Sequence, residues 1–308
     1  MLYYVVRRIY QALLAVIGVT LIVFLVLHWL GDPTALFLPP GASEEVVQAF
    51  RQSLGLDDPL YRQYARFLTG LAAGDIGHSY YYNESAIAVV WERMPATLEL
   101  TAASLVVTLA LGIPAGIWSA VRHHSWIDSA IRLLTLIAQC TPVFWLALLL
   151  VLILSVEFGL LPTSGRGGPE HLIMPALALG LYPAAATARL LRASMIDALH
   201  QEYIRAARAR GLSQNRLILK HALKNAASSV VTMLGLHIAN LLGGAFIIES
   251  IFAWPGIGRL AAQAIYNRDF LVVEAVVLIV AVGYAAINLL VDLCYALMNP
   301  KVRFNKGE

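Results

Sequence analysis

The residue types that usually carry chemistry form none of the common catalytic motifs in this 308-residue sequence. It contains no Gly-x-x-x-x-Gly-Lys-Ser/Thr phosphate loop, no His-Glu-x-x-His or Cys-x-x-Cys metal motif and no Gly-x-Ser-x-Gly nucleophile turn. His123 and His124 are adjacent in a short loop, where two histidines alone rarely bind a metal. We therefore predict that the chain is not an enzyme, with no catalytic residue, no metal site and no cofactor of its own.

A few polar residues lie inside or beside apolar segments, where burying a charge is costly and often marks function. Asp292 is the clearest case, with Asn288 one turn before it. A stand-alone carrier driven by protons or sodium would use Asp292, whereas packing between helices is the alternative role. The candidate residues of a translocation path are His237, Asn240, Glu249 and Asp292.

The most polar part of the sequence is the stretch from Asp197 to Lys224, called the polar stretch below. It is basic and helix-prone, and it lies between two apolar segments. Residues 202–210 are predicted to form one helix, which Gly211 ends because glycine readily adopts the left-handed C-cap conformation. Ser213 is predicted to cap the next helix. A docking surface on the cytoplasmic side and a solvated basic loop both fit this pattern.

The composition indicates a membrane protein with several spans. Hydrophobic residues make up 59% of the chain and charged residues 13%, against about 25% charged in soluble domains. The mean hydropathy is +0.71, and the net charge of +3 does not suggest a nucleic-acid partner. We predict an all-α, polytopic fold with about six transmembrane helices. The apolar runs that predict these spans are Ile9–Leu30, Leu98–Ala120, Leu133–Val156, Leu172–Leu191, Ala226–Ile248 and Phe270–Met298.

The chain divides into three predicted parts. Residues 1–30 form the N-terminal end and first span, residues 31–95 an acidic extracytoplasmic insert with two short helices, and residues 96–308 a five-helix core that contains the polar stretch. Fifteen of the 22 lysine and arginine residues fall in segments that this topology places inside. That bias predicts that both termini are cytoplasmic.

The polar stretch carries a specific resemblance. Arg205-Ala-Ala-Arg-Ala-Arg-Gly211, followed by Leu223, resembles the Glu-Ala-Ala–x3–Gly–x9–Ile-x-Leu-Pro loop of ABC importer permeases. Arg205, His221 and Lys224 replace the Glu, Ile and Pro of that pattern, and these departures resemble the branch that imports dipeptides, oligopeptides and nickel. The other stretches that resemble this branch are 54–64, 74–79, 95–100, 189–195, 252–258 and 267–269. The resemblance covers nearly the whole chain and is to the first of two permease subunits.

The resemblance implies a type I ABC importer permease fold in the inner membrane of a prokaryote. Its partners would be a second homologous permease, two ATPases that bind ATP and magnesium, and an extracytoplasmic substrate-binding protein, which the insert would help to dock. The substrate would be a di- or oligopeptide, or nickel or a metal chelate, and the sequence leaves this choice open. The residues implied to couple to the ATPases are Glu202, Tyr203, Arg205, Ala206, Ala207, Arg208, Gly211 and Leu212.

Overall fold

The computed structural model of the chain describes residues 2–30, 43–54, 57–79 and 81–298. Within these ranges the regular secondary structure is helical, apart from one isolated antiparallel bridge between His78 and Ser85. The predicted all-α class is therefore confirmed for the described residues. The side chains of Asn240, Asp292 and Cys294 lie outside the described residues.

The first span and the insert form three helices. These are α1 (Leu2–Leu30), α2 (Glu44–Leu54) and α3 (Leu60–Ala73). Helices α2 and α3 are the two short helices that the sequence predicts in the insert.

Helix α3 packs against α1 through aromatic side chains. The rings of Tyr64 and Phe67 lie 5.3 and 6.0 Å from the ring of Phe24 in α1. The hydroxyl of Tyr64 is 2.9 Å from that of Thr20. The aromatic face of α3 therefore packs on the first span, which fixes this part of the insert to the membrane-spanning part.

The centre of the fold is a close pair of long helices, α4 (Ala86–Val121) and α7 (Glu170–Leu199). A Cβ atom on Gly112 or Gly116 of α4 would lie within 2.9 Å of a backbone oxygen of α7, so only glycine allows this approach. Gly112 and Gly116 thus allow α4 and α7 to pack in close contact. Helix α4 begins at Ala86, inside the predicted insert, and α7 continues past the predicted end of the fourth span to Leu199.

The third predicted span is broken rather than continuous. Helix α5 (Trp126–Cys140) is followed by α6 (Val143–Leu150), which continues as a π-helical segment to Glu157, and the two halves are bent by 102°. Pro142 explains the break, because proline disfavours helical backbone in the residue before it. Thr141 accordingly has an extended backbone with ψ 121°. The continuous Leu133–Val156 span was a wrong prediction in this respect.

The remaining helices follow α7 in chain order. They are α8 (Glu202–Ala209), α9 (Gln214–Arg216), a π-helical segment (Leu217–Ala222), α10 (Leu223–Gly244), α11 (Phe246–Ile251), α12 (Ile257–Tyr266) and α13 (Phe270–Met298). Within the described residues, four helices are long and apolar enough to cross a membrane, or five if the bent pair is one span. With α10, helices lie at all six predicted span positions.

Candidate functional site

The first half of the polar stretch is a short helix anchored by one buried side chain. Helix α8 follows the end of α7 after only His200 and Gln201. Ile204 is 1% exposed and packs in a cluster with Leu191, Met195 and Ala198 of α7. The residues of α8 that face outward are Glu202, Tyr203, Arg205, Ala206, Arg208 and Ala209. Helix α8 therefore presents a basic face that also carries exposed alanines, and its other face is fixed to α7.

Gly211 ends α8 in the way that the sequence predicts. Its φ is +79°, a left-handed conformation that side chains other than glycine rarely adopt. The Gly211 N–H donates to the Arg208 carbonyl at 3.0 Å, and the Leu212 N–H donates to the Ala207 carbonyl at 3.3 Å. This is the Schellman pattern of two hydrogen bonds at a helix C-terminus. It sets the direction in which the chain leaves the helix.

The second half of the polar stretch returns the chain to the membrane-spanning core. Ser213 occupies the predicted N-cap position, and its carbonyl accepts from the Leu217 N–H at 3.0 Å. The Ser213 hydroxyl makes no capping hydrogen bond, so the predicted side-chain cap was wrong. The Asn225 amide donates to the Tyr203 hydroxyl at 2.6 Å, which joins α8 to the start of α10.

Glu249, a candidate path residue from the sequence, lies inside the subunit. Its side chain is 0% exposed, and its carboxylate accepts from the Thr97 hydroxyl at 2.7 Å and the Arg259 N–H at 2.9 Å. Thr97 in turn accepts from the Ile257 N–H at 2.9 Å. Burial raises the pKa of the Glu249 carboxyl above its ordinary value, although these donors lower it. These contacts hold the α11–α12 turn against α4, and the path role of Glu249 stays a prediction.

The other candidate path residues are only partly described. His237 lies half-buried in α10, and its buried Nε2 has no hydrogen-bond partner among the described residues. The structure does not test Asn240 or Asp292, whose side chains are outside the described set. Asn288 lines a cavity of about 770 Å³ between α1, α12 and α13, together with Arg8 and Tyr284.

The described part of the chain contains no candidate metal site built from several side chains. The rings of His123 and His124 lie 3.8 Å apart. No group of three or more His, Cys, Asp or Glu side chains in that part is arranged to hold a metal ion.

An ionic cluster that sequence reasoning missed lies next to the polar stretch. Asp128, at the start of α5, is 0% exposed and accepts two hydrogen bonds from the Arg192 guanidinium of α7, at 2.8 and 2.9 Å. The Ser119 hydroxyl of α4 also donates to it, at 2.6 Å. The available signal was a carboxylate opening an apolar helix and an arginine inside another, since buried charges are usually paired.

Comparison with known families identifies the chain. Residues 112–304 match the family described as "Binding-protein-dependent transport system inner membrane component". Residues 1–101 match a second family, described as "Binding-prot-dependent transport system membrane comp, N-term". The chain belongs to the binding-protein-dependent permeases. It is therefore a multi-pass inner-membrane permease, as the resemblance predicts.

Two relatives match this permease along its full length. It is 40% identical over 305 residues to the glutathione transport system permease protein GsiC of Escherichia coli, covering 99% of this chain and 100% of that protein. It is 37% identical over 333 residues to the dipeptide transport system permease protein DppB of Alkalihalophilus pseudofirmus, with the same coverage. These matches confirm that the permease is a subunit of an ABC importer, and nothing supports the alternative of a stand-alone ion-coupled carrier.

Solved structures confirm the fold of this permease. Two crystal forms of the inward-facing MetNI methionine ABC transporter match with TM-scores of 0.56 and 0.60. Each match covers 68% of this chain and 96% of the other, at 20% and 18% sequence identity. At that identity the likeness shows a shared fold alone.

Proposed function

We propose that the polar stretch is the surface through which partner ATPases drive this permease. The observation that carries the proposal is the geometry of α8. Its outer face is exposed and basic, while Ile204 fixes its inner face to α7. A short amphipathic helix of this kind fits a groove on a partner protein.

The composition of the exposed face supports a close contact. Ala206 and Ala209 have no bulk beyond Cβ, so a partner surface can approach the backbone of α8 there. Arg205 and Arg208 lie beside them and are exposed, which suits acidic residues of an ATPase. The coupling residues named from the sequence lie together on this helix or directly after it, and they are Glu202, Tyr203, Arg205, Ala206, Ala207, Arg208, Gly211 and Leu212.

The connection of α8 to α7 gives a route for force. Helix α7 has 30 residues and is about 45 Å long at 1.5 Å per residue. Displacing its cytoplasmic end therefore displaces a rod that is longer than the hydrocarbon core, about 30 Å. ATP binding would favour one of two arrangements of the spans, and hydrolysis would release it.

The remaining partners follow from membership of the family. We propose a complex of this permease with a second, homologous permease, two ATPases that bind ATP and magnesium, and an extracytoplasmic binding protein. Both termini and the polar stretch would face the cytoplasm, and the insert that contains α2 and α3 would help to dock the binding protein. The distribution of lysine and arginine supports this orientation.

For the substrate, we propose a small peptide. Two full-length relatives are named for glutathione and dipeptide transport, which supports this class over nickel or a metal chelate. Mass spectrometry of the ligand that co-purifies with the cognate binding protein tests it. A peptide is expected, and a metal chelate would contradict the proposal.

The coupling role is tested by co-purification with the cognate ATPases from membranes. Ala206→Glu adds a charge to the exposed face of α8, and Gly211→Pro removes both the left-handed conformation and the N–H that bonds Arg208. Each is expected to reduce the ATPase recovered per permease by about tenfold or more, a loss of about 1.4 kcal/mol of binding.

A matched control makes the same change elsewhere. Ala72 is an exposed helical alanine in α3 of the insert, so Ala72→Glu is expected to leave ATPase recovery unchanged. If Ala206→Glu co-purifies with the ATPases as well as Ala72→Glu does, the polar stretch is not the coupling surface.

A further inference from the structure

The buried carboxylate of Asp128 connects three separate segments at the end of the molecule that carries α8. It accepts from the Ser119 hydroxyl at the end of α4, from the His124 N–H in the loop between α4 and α5, and from the Arg192 guanidinium of α7. Asp128 itself opens α5, where its own N–H donates to Ser125. One side chain thus holds α4, α5 and α7 in register.

The Arg192 contact has the geometry of a strong, directional ion pair. Both Nε and Nη2 donate to the carboxylate, one to each oxygen. Such two-point pairs fix orientation as well as distance, because the guanidinium and carboxylate planes must align. The Arg192 side chain is 20% exposed and that of Asp128 1% exposed, so the pair is largely shielded from water.

Arg192 is also part of the rigid unit that carries α8. Its neighbour Leu191 and the nearby Met195 are buried in the same cluster as Ile204. Motion of α8 therefore reaches Arg192 through packed side chains over little more than three turns of chain. On the other side, α4 is held to α7 at Gly112 and Gly116 by close backbone contact, which needs no ionic link.

Helix α5 contains no glycine that would allow so close an approach to α7. It starts a broken span whose second half turns away by 102° at Pro142, and a loop of only four residues, 122–125, joins it to α4. Its polar links to α7 among the described residues are Asp128–Arg192 and the more exposed pair Gln139–Arg189. Helix α5 also packs against α7, and the two-point ionic link at its first turn adds a directional connection to that packing.

We propose that Asp128 and Arg192 form a clamp that makes the broken span move together with α7 when α8 is displaced. This inference rests on the proposed coupling role of the polar stretch. Both are positioning residues, since neither is placed on the ATPase or substrate surface. Loss of the clamp would leave the ATPases bound to α8 but would stop their signal from reaching the broken span.

The test uses the complete complex, with its binding protein, in lipid nanodiscs. The binding protein is supplied with a stated mixture of glutathione and tryptic casein peptides. The measured quantity is the stimulation of ATP hydrolysis by that mixture, per assembled complex. Reduced folding alone does not change this ratio, because unassembled permease is absent from the complexes that are counted.

Arg192→Ala is expected to retain the ATPases and to lose stimulation by about tenfold, within the range usual for coupling between sites. Arg132→Ala is the matched control. Arg132 approaches the same carboxylate at 3.7 Å from its own helix, and its side chain is 54% exposed, so stimulation is expected to stay within about twofold.

Two further variants keep the test decisive if Arg192→Ala does not fold. Arg192→Lys keeps the charge but not the two-point geometry, and Asp128→Asn combined with Arg192→Gln replaces the charges by amides. Any folded, ATPase-bound variant without the two-point pair that is stimulated like wild type overturns the clamp. A wild-type complex that assembles no ATPase, or is not stimulated, overturns the proposed function instead.

Discussion

Two carboxylates, Asp128 and Glu249, are completely buried against different parts of α4, and the protein holds them in different ways. Asp128 lies beside Ser119 and is paired with an arginine from another helix. Glu249 lies beside Thr97 and is held by a hydroxyl and a backbone N–H. Thr97 and Ser119 are about 33 Å apart along α4 at 1.5 Å per residue. The two sites therefore flank a stretch of the thickness of a bilayer.

The difference supports the proposal that the Asp128 end transmits motion. At Glu249, the partners belong to a tight turn, and the Trp254 indole adds a hydrogen bond to the Ala96 carbonyl at 2.7 Å. Each of those contacts uses a side chain of the turn or of α4, and several of them lie side by side, so the turn and the Ala96–Thr97 part of α4 form one packed unit. At Asp128, the Ser119 and Arg192 side chains come from two separate helices, and the His124 N–H comes from the loop before α5. Under the proposed clamp, displacement would pass between these helices through the Asp128–Arg192 pair.

The largest expected effect is at the ionic site. Arg192→Met leaves Asp128 buried without its cation, and breaking a buried pair in this way costs about 3–5 kcal/mol. The free energy of unfolding in detergent, measured by chemical denaturation, is expected to fall by that amount. Arg132→Met, beside the same carboxylate, is expected to change it by less than about 0.5 kcal/mol. If Arg192→Met and Arg132→Met lower the free energy of unfolding equally, Arg192 is not the main partner of Asp128.

A smaller effect is expected at the packed turn. A Cβ on Gly258 would lie 2.6 Å from the Phe246 Cα and 3.0 Å from the Glu249 carboxylate. Because the nearest atom belongs to the backbone, Gly258→Ala is expected to cost about 1–3 kcal/mol. Gly18 of α1 has nothing within 4 Å of its Cβ position, so Gly18→Ala is the control. If the two substitutions are equally tolerated in a thermal melt, the turn is not packed as described.

The smallest effect is a pH dependence at Glu249. Burial raises the pKa of its carboxyl in the folded protein above the unfolded value of about 4.3. The folded state therefore binds the proton more tightly, and Glu249 contributes less stability as pH rises from that value through the folded pKa. Apparent Tm should fall less over this window in Glu249→Gln than in wild type. Parallel curves for the two proteins would contradict a raised pKa at Glu249.

The fold could be predicted because its main signals are local. Each of these signals is contained in residues that are close together in the sequence. They are the apolar runs, the aromatic residues Tyr64 and Phe67 on one face of α3, and the glycine at position 211. The boundaries were less predictable. Helix α4 extends over Pro95, and the chain bends at Pro142, because tertiary packing decides whether a proline ends a helix, bends it or is tolerated.

The surroundings of Asp128 and Glu249 could not be predicted, because they depend on contacts between residues that are far apart in the sequence. Asp128 and Arg192 are 64 residues apart, so neither reveals its partner. Glu249 was predicted as a path residue because a carboxylate near a span end is unusual. Its real surroundings come from a turn that folds back onto Thr97, 152 residues earlier in the chain. The polar stretch was easier, because its helix, its glycine and its arginines lie within one continuous segment.

The central claim is that α8 binds an ATPase on the cytoplasmic side. Site-specific photo-cross-linking tests it most directly, with a benzophenone amino acid placed at exposed Ala206 and, as the control, at exposed Ala72. In membranes that contain the whole importer, the label at position 206 is expected to cross-link to an ATPase subunit, and the label at position 72 is not. A label at 206 that captures the extracytoplasmic binding protein, or that never captures an ATPase in assembled complexes, would contradict the account.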